Sequence, residues 1–335
     1  MTTTLEGGLI NNGHRAFVAL LAGALLLGAQ SAAGQSYPSK PIRVIVPYPA
    51  GGATDFFART VFPKMGEGLG QPMVVENRPG AGTAIGASEV ARSAPDGYTL
   101  LLGDAGTYAF NPTLYKKLAY DPVKDFSPVS LTGRFALILA VNPTTVKADS
   151  LKAFVDAAKA QPGKIDYGAP GPGSPIHLAM ELFKQRAGIV MTPIPYKGGA
   201  DAMNDLVGGR IGAMFLDIAS GLPQIRGGKV KAIAVASEKR MPALPDLPTI
   251  GESGYPGFEA WAWQGFVAPV GTPRDVIARL NAEFAKVMSD AAMKQKLSES
   301  GFEPQTSSPE QFSAYMKSEI AKWEKVIRDS NISLE

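Results

Sequence analysis

Apolar positions in this chain come in short bursts, each ended by glycine or proline, and the bursts alternate between strand-like and helix-like spacing. Ile42, Val44, Ile45 and Val46 form a β-branched run that favours a pleated strand. Pro47 and Pro49 stop strand pairing, because proline has no N–H for the ladder and a fixed φ. Ala50-Gly51-Gly52 follows as a turn with little side chain in the way, and Thr54 is expected to N-cap a helix that carries Phe56, Phe57 and Val61 inward. The rhythm repeats. Pro72–Asn77 predicts a second strand leading through Arg78-Pro79-Gly80-Ala81-Gly82-Thr83 into a helix over Ile85–Arg92. Tyr98–Leu102 predicts a buried strand that ends in Gly103-Asp104-Ala105-Gly106-Thr107, with Asn111-Pro112 opening the next turn.

After the apolar strand Phe135–Val141 the pattern changes. Ser150 is expected to cap a helix over Leu151–Ala160 with Leu151, Phe154, Val155 and Ala158 on one face. A short strand Ile165–Tyr167 runs into the loop Gly168–Pro175, and a helix follows over His177–Arg186. Met191–Tyr196 leads into Lys197-Gly198-Gly199-Ala200 and a helix through Asn204–Val207. Ala213–Leu216 leads to Asp217 in another loop, and Val230–Ala236 is a further strand. Trp261–Ala268 reads as a strand returning to the first half. Two helices close the chain: one opened by Thr272-Pro273 and carrying Val276, Ile277, Leu280, Phe284 and Val287, the other capped by Ser308 and carrying Phe312, Tyr315, Ile320 and Trp323. The class is α/β. The domains expected are 34–141 with 255–335, and an inserted 142–254 with its own α/β rhythm.

At 335 residues and 45% hydrophobic content the chain is long enough for two domains and apolar enough for sizeable cores. A net charge of +3 is spread without basic clusters, so no nucleic-acid footprint is visible. There is no cysteine, which removes disulfides, thiolate nucleophiles, cysteine–zinc sites and lipid-carrying cysteines; the histidines are His14 and His177, so a histidine-rich metal site is also removed. His14 and Arg15 precede the apolar run Ala16–Ala29 and the small residues Gln30–Gly34, the pattern of a cleavable secretory signal with cleavage after Ala33. The run is shorter than the roughly 20 residues that span a bilayer. The mature chain is therefore expected to be secreted, soluble and without a lipid anchor.

The loops carry the chemistry. Strand, glycine turn and helix N-terminus together present bare N–H groups and a positive dipole end, a ready receiver of anions, although many α/β proteins use such a turn only to enter a helix. In open parallel sheets these loops gather at the carboxyl ends of the strands, and two doubly wound domains can face theirs across one cleft. Gly, Ala, Ser and Thr linings offer N–H and hydroxyl donors suited to a small carboxylate. Enzymatic readings are poorer. Ser174 lies in Pro-Gly-Ser-Pro rather than a nucleophile elbow, and His177 three residues on has no placed carboxylate; a secreted Ser/His hydrolase is the alternative these two residues leave open. His177 on a helix after a loop is more often a cap or packing residue. Asp55, Asp104 and Asp217 are isolated carboxylates at loop positions, for which helix capping is the plainer role. No phosphate-binding glycine motif stands behind a strand, so no nucleotide cofactor is expected, nor any metal or catalytic residue.

Taken in order, YPSKPIRVIVPYPAGGATDFFAR, VVENRPGAGTAIGA, DGYTLLLGDAGTYAFNPTLYKKLAYDPVKDF, IPYKGGADAMNDLVGGRI and LPDLPTIGESGYPGFEAWAWQGFVAPVGTP resemble the Bug-type extracytoplasmic solute receptors. These are the substrate-binding subunits of tripartite tricarboxylate transporters, and the likeness covers nearly all of the chain after the signal. The resemblance implies a type II periplasmic-binding-protein fold, two doubly wound α/β domains with a ligand cleft between them. It implies a monomeric periplasmic protein that closes like a flytrap on a di- or tricarboxylate, an amino acid or an aromatic acid and presents it to membrane subunits or to a sensor. Transport and signalling are not separable at this level. Its first glycine loop places a ligand carboxylate at Tyr48, Ala50, Gly51, Gly52 and Asp55, and Ala81, Gly82, Thr83 and Asp104, Ala105, Gly106 and Thr107 extend that wall. The opposing loops supply Pro170, Gly171, Gly173, Ser174 and His177, then Tyr196, Lys197, Gly198 and Ala200, with Asp217 near the cleft. Two positions depart from the family pattern. The loop after Tyr167 reads Gly-Ala-Pro-Gly-Pro-Gly-Ser-Pro-Ile-His where such receptors often have Gly-Ser-x-Gly-x-Gly-Ser-Ser-x-His, so prolines at 170, 172 and 175 remove donors. Asp104 stands where a small neutral residue is common; a buried carboxylate opposes an anionic group and pairs with an ammonium, which points toward an amino acid.

Overall fold

The computed structural model describes residues 37–171, 173–196 and 198–334. The expected signal segment and its cleavage site, Pro172 and Lys197 lie outside the described residues. The chain divides into two units, Met1–Ser39 and Lys40–Glu335, and the architecture below is that of the second.

In chain order the elements are β1 (Ile42–Val46), α1 (Ala53–Leu69), β2 (Met73–Asn77), α2 (Ala84–Ala91), β3 (Thr99–Asp104), α3 (Asn111–Leu114) and β4 (Phe126–Val141). They continue with α4 (Leu151–Ala160), β5 (Asp166–Pro170), α5 (Pro175–Ala187), β6 (Thr192–Tyr196), α6 (Gly199–Val207), β7 (Ala213–Asp217), α7 (Ile218–Arg226) and β8 (Lys231–Val235). The chain closes with β9 (Trp261–Pro269), α8 (Arg274–Ser289), α9 (Ala291–Glu299), β10 (Phe302–Pro304) and α10 (Pro309–Asp329).

Hydrogen bonding runs β2-β1-β3-β9-β4-β7-β5-β6, with β8 and β10 also paired to β4. β1 pairs in parallel with β2 and β3, while β9 runs antiparallel to β3 and β4. The 16-residue β4 joins both halves. Its Phe126–Ala136 portion pairs β9, and its Leu137–Val141 end pairs β7. Two bulges in the first portion bend it, and at the second Gly133 has φ +147 with no room for a side chain, since a Cβ there would lie 2.4 Å from Glu303 O in β10.

Local rules hold where burial and capping agree. β3 is buried at all six residues, as its apolar run predicts. α4 buries Leu151, Phe154, Val155 and Ala158, and Ser150 Oγ accepts the Ala153 N–H. α10 begins with a full capping box between Ser308 and Gln311. Its Phe312 packs on Gly265 of β9 and meets Tyr108 and Trp263 edge-on, with centroids 6.0 and 6.1 Å apart. Glu319 fixes the same joint by accepting both Trp263 Nε1 and Trp323 Nε1 at 2.9 Å.

Several expectations are corrected. Thr54 is not the N-cap of α1: Gly52 is, with no side-chain bond, and Thr54 Oγ1 instead accepts from Gln264 Nε2 at 2.8 Å. Phe56 does not face the core; it is 40% exposed at the mouth of a cavity, while Phe57 and Val61 are buried. The strand before the proline-rich loop extends through Pro170 and does not stop at Tyr167, because Gly168, Ala169 and Pro170 remain in register with Ile194, Pro195 and Tyr196. Asp217 ends β7 and leads directly into α7, where a loop was expected.

Candidate functional site

Two adjoining cavities lie where β1, β5, β6 and β7 end and helices begin. The outer one, about 720 Å³, is lined by Gly51, Gly52, Ala53, Phe56 and Phe135 on one side and by Gly199, Ala200, Met203, Asn204, Asp217, Ala219, Ser220 and Gln224 on the other, with Ser300. The inner one, about 250 Å³, shares Ala53, Phe135, Gly199 and Asp217, and adds Thr54, Asp104, Leu137, Pro170, Ser174, Pro175, Ile176, Ala262 and Gln264. Of the described residues lining either cavity, none is lysine or arginine.

Four helix N-termini converge there, and they differ in one respect. α5 and α7 cap themselves: Ser174 Oγ accepts the His177 N–H, and Asp217 Oδ1 accepts the Ser220 N–H at 2.9 Å. α1 and α6 begin at Gly52 and Gly198 with no side-chain cap, so their first-turn N–H groups remain available. Space is kept clear around them. A Cβ added at Gly51, Gly198 or Gly199 would meet no heavy atom within 4 Å, and one at Gly52 only Pro49 O at 3.9 Å. Exposed N–H groups at the positive end of a helix dipole, with room for close approach, form an anion receiver.

The first loop is held from below. Gly51 adopts φ +88, which glycine tolerates, and its N–H donates to Asp55 Oδ2 at 2.9 Å. Asp55 also accepts from Arg59 and from Asn77 Nδ2, and Asn77 Nδ2 donates to Tyr48 O at 3.0 Å. Burial pushes the Asp55 carboxyl up, but these hydrogen bonds outweigh it and leave the group below its ordinary pKa. Asp104 is buried at the end of β3. It accepts from Tyr48 Oη at 2.5 Å and from Thr107 N and Oγ1 at 3.0 and 3.1 Å; burial raises its pKa and these bonds only partly offset the rise. The Tyr48 hydroxyl is pushed well above its usual range by burial and by the Asp104 charge.

Among the residues expected at the site, Gly51, Gly52, Asp104, Pro170, Ser174, Ala200 and Asp217 line the cavities. Tyr48 and Asp55 support that lining through the bonds above, while Ala50 and Gly198 flank lining residues. Ala105 and Gly106 lead from Asp104 into the turn containing Thr107. Ala81, Gly82 and Thr83 are not brought to either wall. Asn111 Nδ2 donates to Gly82 O at 2.7 Å and to Thr83 Oγ1 at 3.1 Å, and Thr107 Oγ1 meets Thr83 Oγ1 at 3.0 Å, so this turn braces the one below Asp104. Gly171 and Gly173 shape the opposite loop with φ +64 and +79. Tyr196 is directed to Asp205 Oδ2 at 2.9 Å; burial and the Asp205 bond push its pKa up to about 12. Of the departing prolines, Pro170 lies at the end of β5 rather than in the loop, and Pro175 stands in the first turn of α5, where it removes an N–H that no intrahelical bond would use.

Ser174 and His177 do not form a nucleophile–base pair. Ser174 Oγ donates to Pro170 O at 2.5 Å, while His177 Nδ1 accepts the Gly173 N–H at 3.0 Å. Burial lowers the His177 pKa, the nearby Glu181 opposing and Lys184 reinforcing that shift. Several lining residues were not singled out from sequence: Thr54 was read as a cap and Phe56 as core, while Phe135, Asn204 and Gln264 sat in segments read simply as strands or a helix. For Gln264 one signal was available, a lone amide in the apolar strand WAWQGFVA.

A sheet shared by two sets of glycine loops around a donor-lined cleft defines a periplasmic-binding-type receptor fold. Residues 57–332 match the family described as "Tripartite tricarboxylate transporter family receptor", and the chain belongs to that family. It is 37% identical over 308 residues to Protein BugT of Bordetella pertussis, covering 92% of this chain and 94% of that one. The structure of Rpa4515 from R. palustris with adipate superimposes with a TM-score of 0.81 at 36% identity, covering 89% of this chain and 99% of the other. MatC from Rhodopseudomonas palustris with bound malate gives 0.76 at 34%, covering 87% and 100%. Among the described residues no helix is long and apolar enough to cross a membrane.

Proposed function

We propose that this protein is a periplasmic, non-enzymatic receptor that captures a small organic carboxylate and delivers it to the membrane subunits of a tripartite tricarboxylate transporter. Residues 1–33 serve as the export signal, and the mature chain acts as a soluble monomer. Residues 34–141 with 255–335 form one jaw and residues 142–254 the other, and β4 crosses between them as part of the hinge.

The observation that carries this reading is the pair of uncapped helix starts, Gly52-Ala53 of α1 and Gly198-Gly199-Ala200 of α6, beside one cavity without lysine or arginine among its described lining residues. A ligand carboxylate bound by both starts favours the closed arrangement by its differential affinity for it. Adipate in Rpa4515 and malate in MatC support the ligand class. Thermal unfolding of the mature protein against di- and tricarboxylates, amino acids and aromatic acids is the test. A saturable rise in melting temperature with compaction in X-ray scattering is expected for at least one acid. No shift with any member at millimolar concentration, or turnover of a bound ester abolished by Ser174→Ala, overturns the reading.

A further inference from the structure

The inner cavity holds two carboxylates and an unpaired amide oxygen beside the starts of α1 and α6, which reach both cavities through Ala53 and Gly199. Asp104 of β3 and Gln264 of β9 are direct partners in the antiparallel ladder. Their side chains therefore leave the sheet on the same face, with Cβ atoms roughly 5 Å apart. Both line the 250 Å³ cavity, together with Thr54. Gln264 is only 3% exposed; its Nε2 donates to Thr54 Oγ1 at 2.8 Å, and its Oε1 has no hydrogen-bond partner. Asp104 is 7% exposed, and its donors are the hydroxyls of Tyr48 and Thr107 and backbone N–H groups. No lysine, arginine or histidine forms an ion pair with it among the described residues.

A buried amide oxygen without a donor and a buried carboxylate without a counter-ion are both costly, and one ligand group relieves both. A hydrogen-bond donor answers Gln264, and one that also carries positive charge answers Asp104, whose oxygens already accept from Tyr48, Gly106 and Thr107. Asp217 at the same cavity adds to the disadvantage of placing a second anion there.

We propose that Asp104 and Gln264 read a ligand ammonium, so that the ligand is a small amino acid with its carboxylate at the starts of α1 and α6 and its amine at the inner end. The proposal rests on the carboxylate-receptor reading and narrows it. Burial, which raises the Asp104 pKa, is compensated when a cation arrives, so binding draws the carboxyl toward its ionised form.

Calorimetric titration with matched pairs tests it: aspartate against succinate, glutamate against glutarate, phenylalanine against 3-phenylpropionate, with malate and N-acetylaspartate as controls. In at least one pair the amino acid is expected to bind about tenfold or more tightly than its des-amino partner, and N-acetylation to abolish the advantage. Gln264→Met and Asp104→Asn are each expected to shrink that ratio toward one, Asp104→Asn partly by strengthening the des-amino diacids that the Asp104 carboxylate opposes. The ligand controls on the unaltered protein keep the test valid if either variant folds poorly. Equal affinities within every pair, or malate equal to aspartate, overturn the ammonium assignment but leave the receptor standing. Preference for the des-amino acids also overturns it and indicates the amide turned end for end, with Nε2 in the cavity. No binding of any acid overturns both.

Discussion

The two glycines at the mouth of the cleft have different jobs, and one methyl group separates them. Gly51 adopts φ +88 and Gly52 φ −82, and neither has a close neighbour for an added Cβ. Gly51→Ala therefore meets no steric clash, only the left-handed backbone penalty of roughly 1–2 kcal/mol. The loop must either bear that cost or relax and stretch the Gly51 N–H bond to Asp55. A fall in melting temperature of roughly 2–4 °C per kcal/mol is expected. Gly52→Ala has an ordinary φ and open space, so its melting temperature should stay within about 1 °C, the behaviour of a substitution without a destabilising mechanism. Its methyl group projects at the uncapped start of α1, where a ligand carboxylate must come within about 3 Å of the N–H groups. Loss of ligand affinity of about tenfold or more, equivalent to about 1.4 kcal/mol, is the expected result. Unfolding scans without ligand and titration with whichever acid stabilises the parent protein separate the two effects. A Gly52→Ala variant that binds as tightly as the parent refutes the placement of the carboxylate at α1. A Gly51→Ala variant with unchanged stability refutes the strain argument.

Acid should weaken the fold around α5 through His177. Burial holds its pKa below the ordinary value, so the unfolded chain binds a proton that the folded one refuses. Stability is complete above about pH 6.5 and is lost as pH falls toward the depressed folded pKa. Glu181, Lys184 and the Tyr167 ring face the imidazole; His177→Asn, which keeps an acceptor for the Gly173 N–H, should flatten the melting temperature between pH 7 and 5, and an unchanged slope counts against this account. At the far joint, Glu319→Leu strands two buried indole N–H groups at about 1–3 kcal/mol each, so urea unfolding followed by tryptophan fluorescence should move to clearly lower denaturant. An unshifted midpoint would show that the joint gains little from this carboxylate.

The unit from Ile42 to Asp55 was legible because each of its signals is local: β-branching, two prolines, two glycines and a helix start. What failed there failed for reasons local rules do not contain. Thr54 is claimed by Gln264, 210 residues away, and so is not free to cap. Phe56 and Phe57 are adjacent in sequence but 100° apart around the helix, which sends one to the core and the other to the cleft. α7 went unseen because Ile218–Arg226 contains Gly221 and Pro223; its N-cap bond to Asp217 and the packing of Gly221 on Leu216 supply what propensity lacks. α9 buries only Leu297, too little for an apolar stripe to register. Phe135 was indistinguishable from a core residue in sequence, since the walls of a deep cleft and the inside of a sheet select similar side chains.

These misplacements sort the site into two layers. Tyr48, Asp55, Thr83, Thr107, Ser174, His177 and Tyr196 spend their polar atoms on one another and on nearby groups in the protein, which stiffens the loops. The helix starts at α1 and α6 and the Oε1 of Gln264 are left over, spare donors and a spare acceptor. A cleft whose spare donors and spare acceptor are fixed by stiffened loops discriminates by the position of charge along the ligand as well as by net charge. No cation stands among the described lining residues, and a second carboxylate in the inner cavity meets Asp104 and Asp217. The distance between the carboxylate and a donor on the ligand, rather than the number of its carboxylates, is therefore the variable on which affinity should turn.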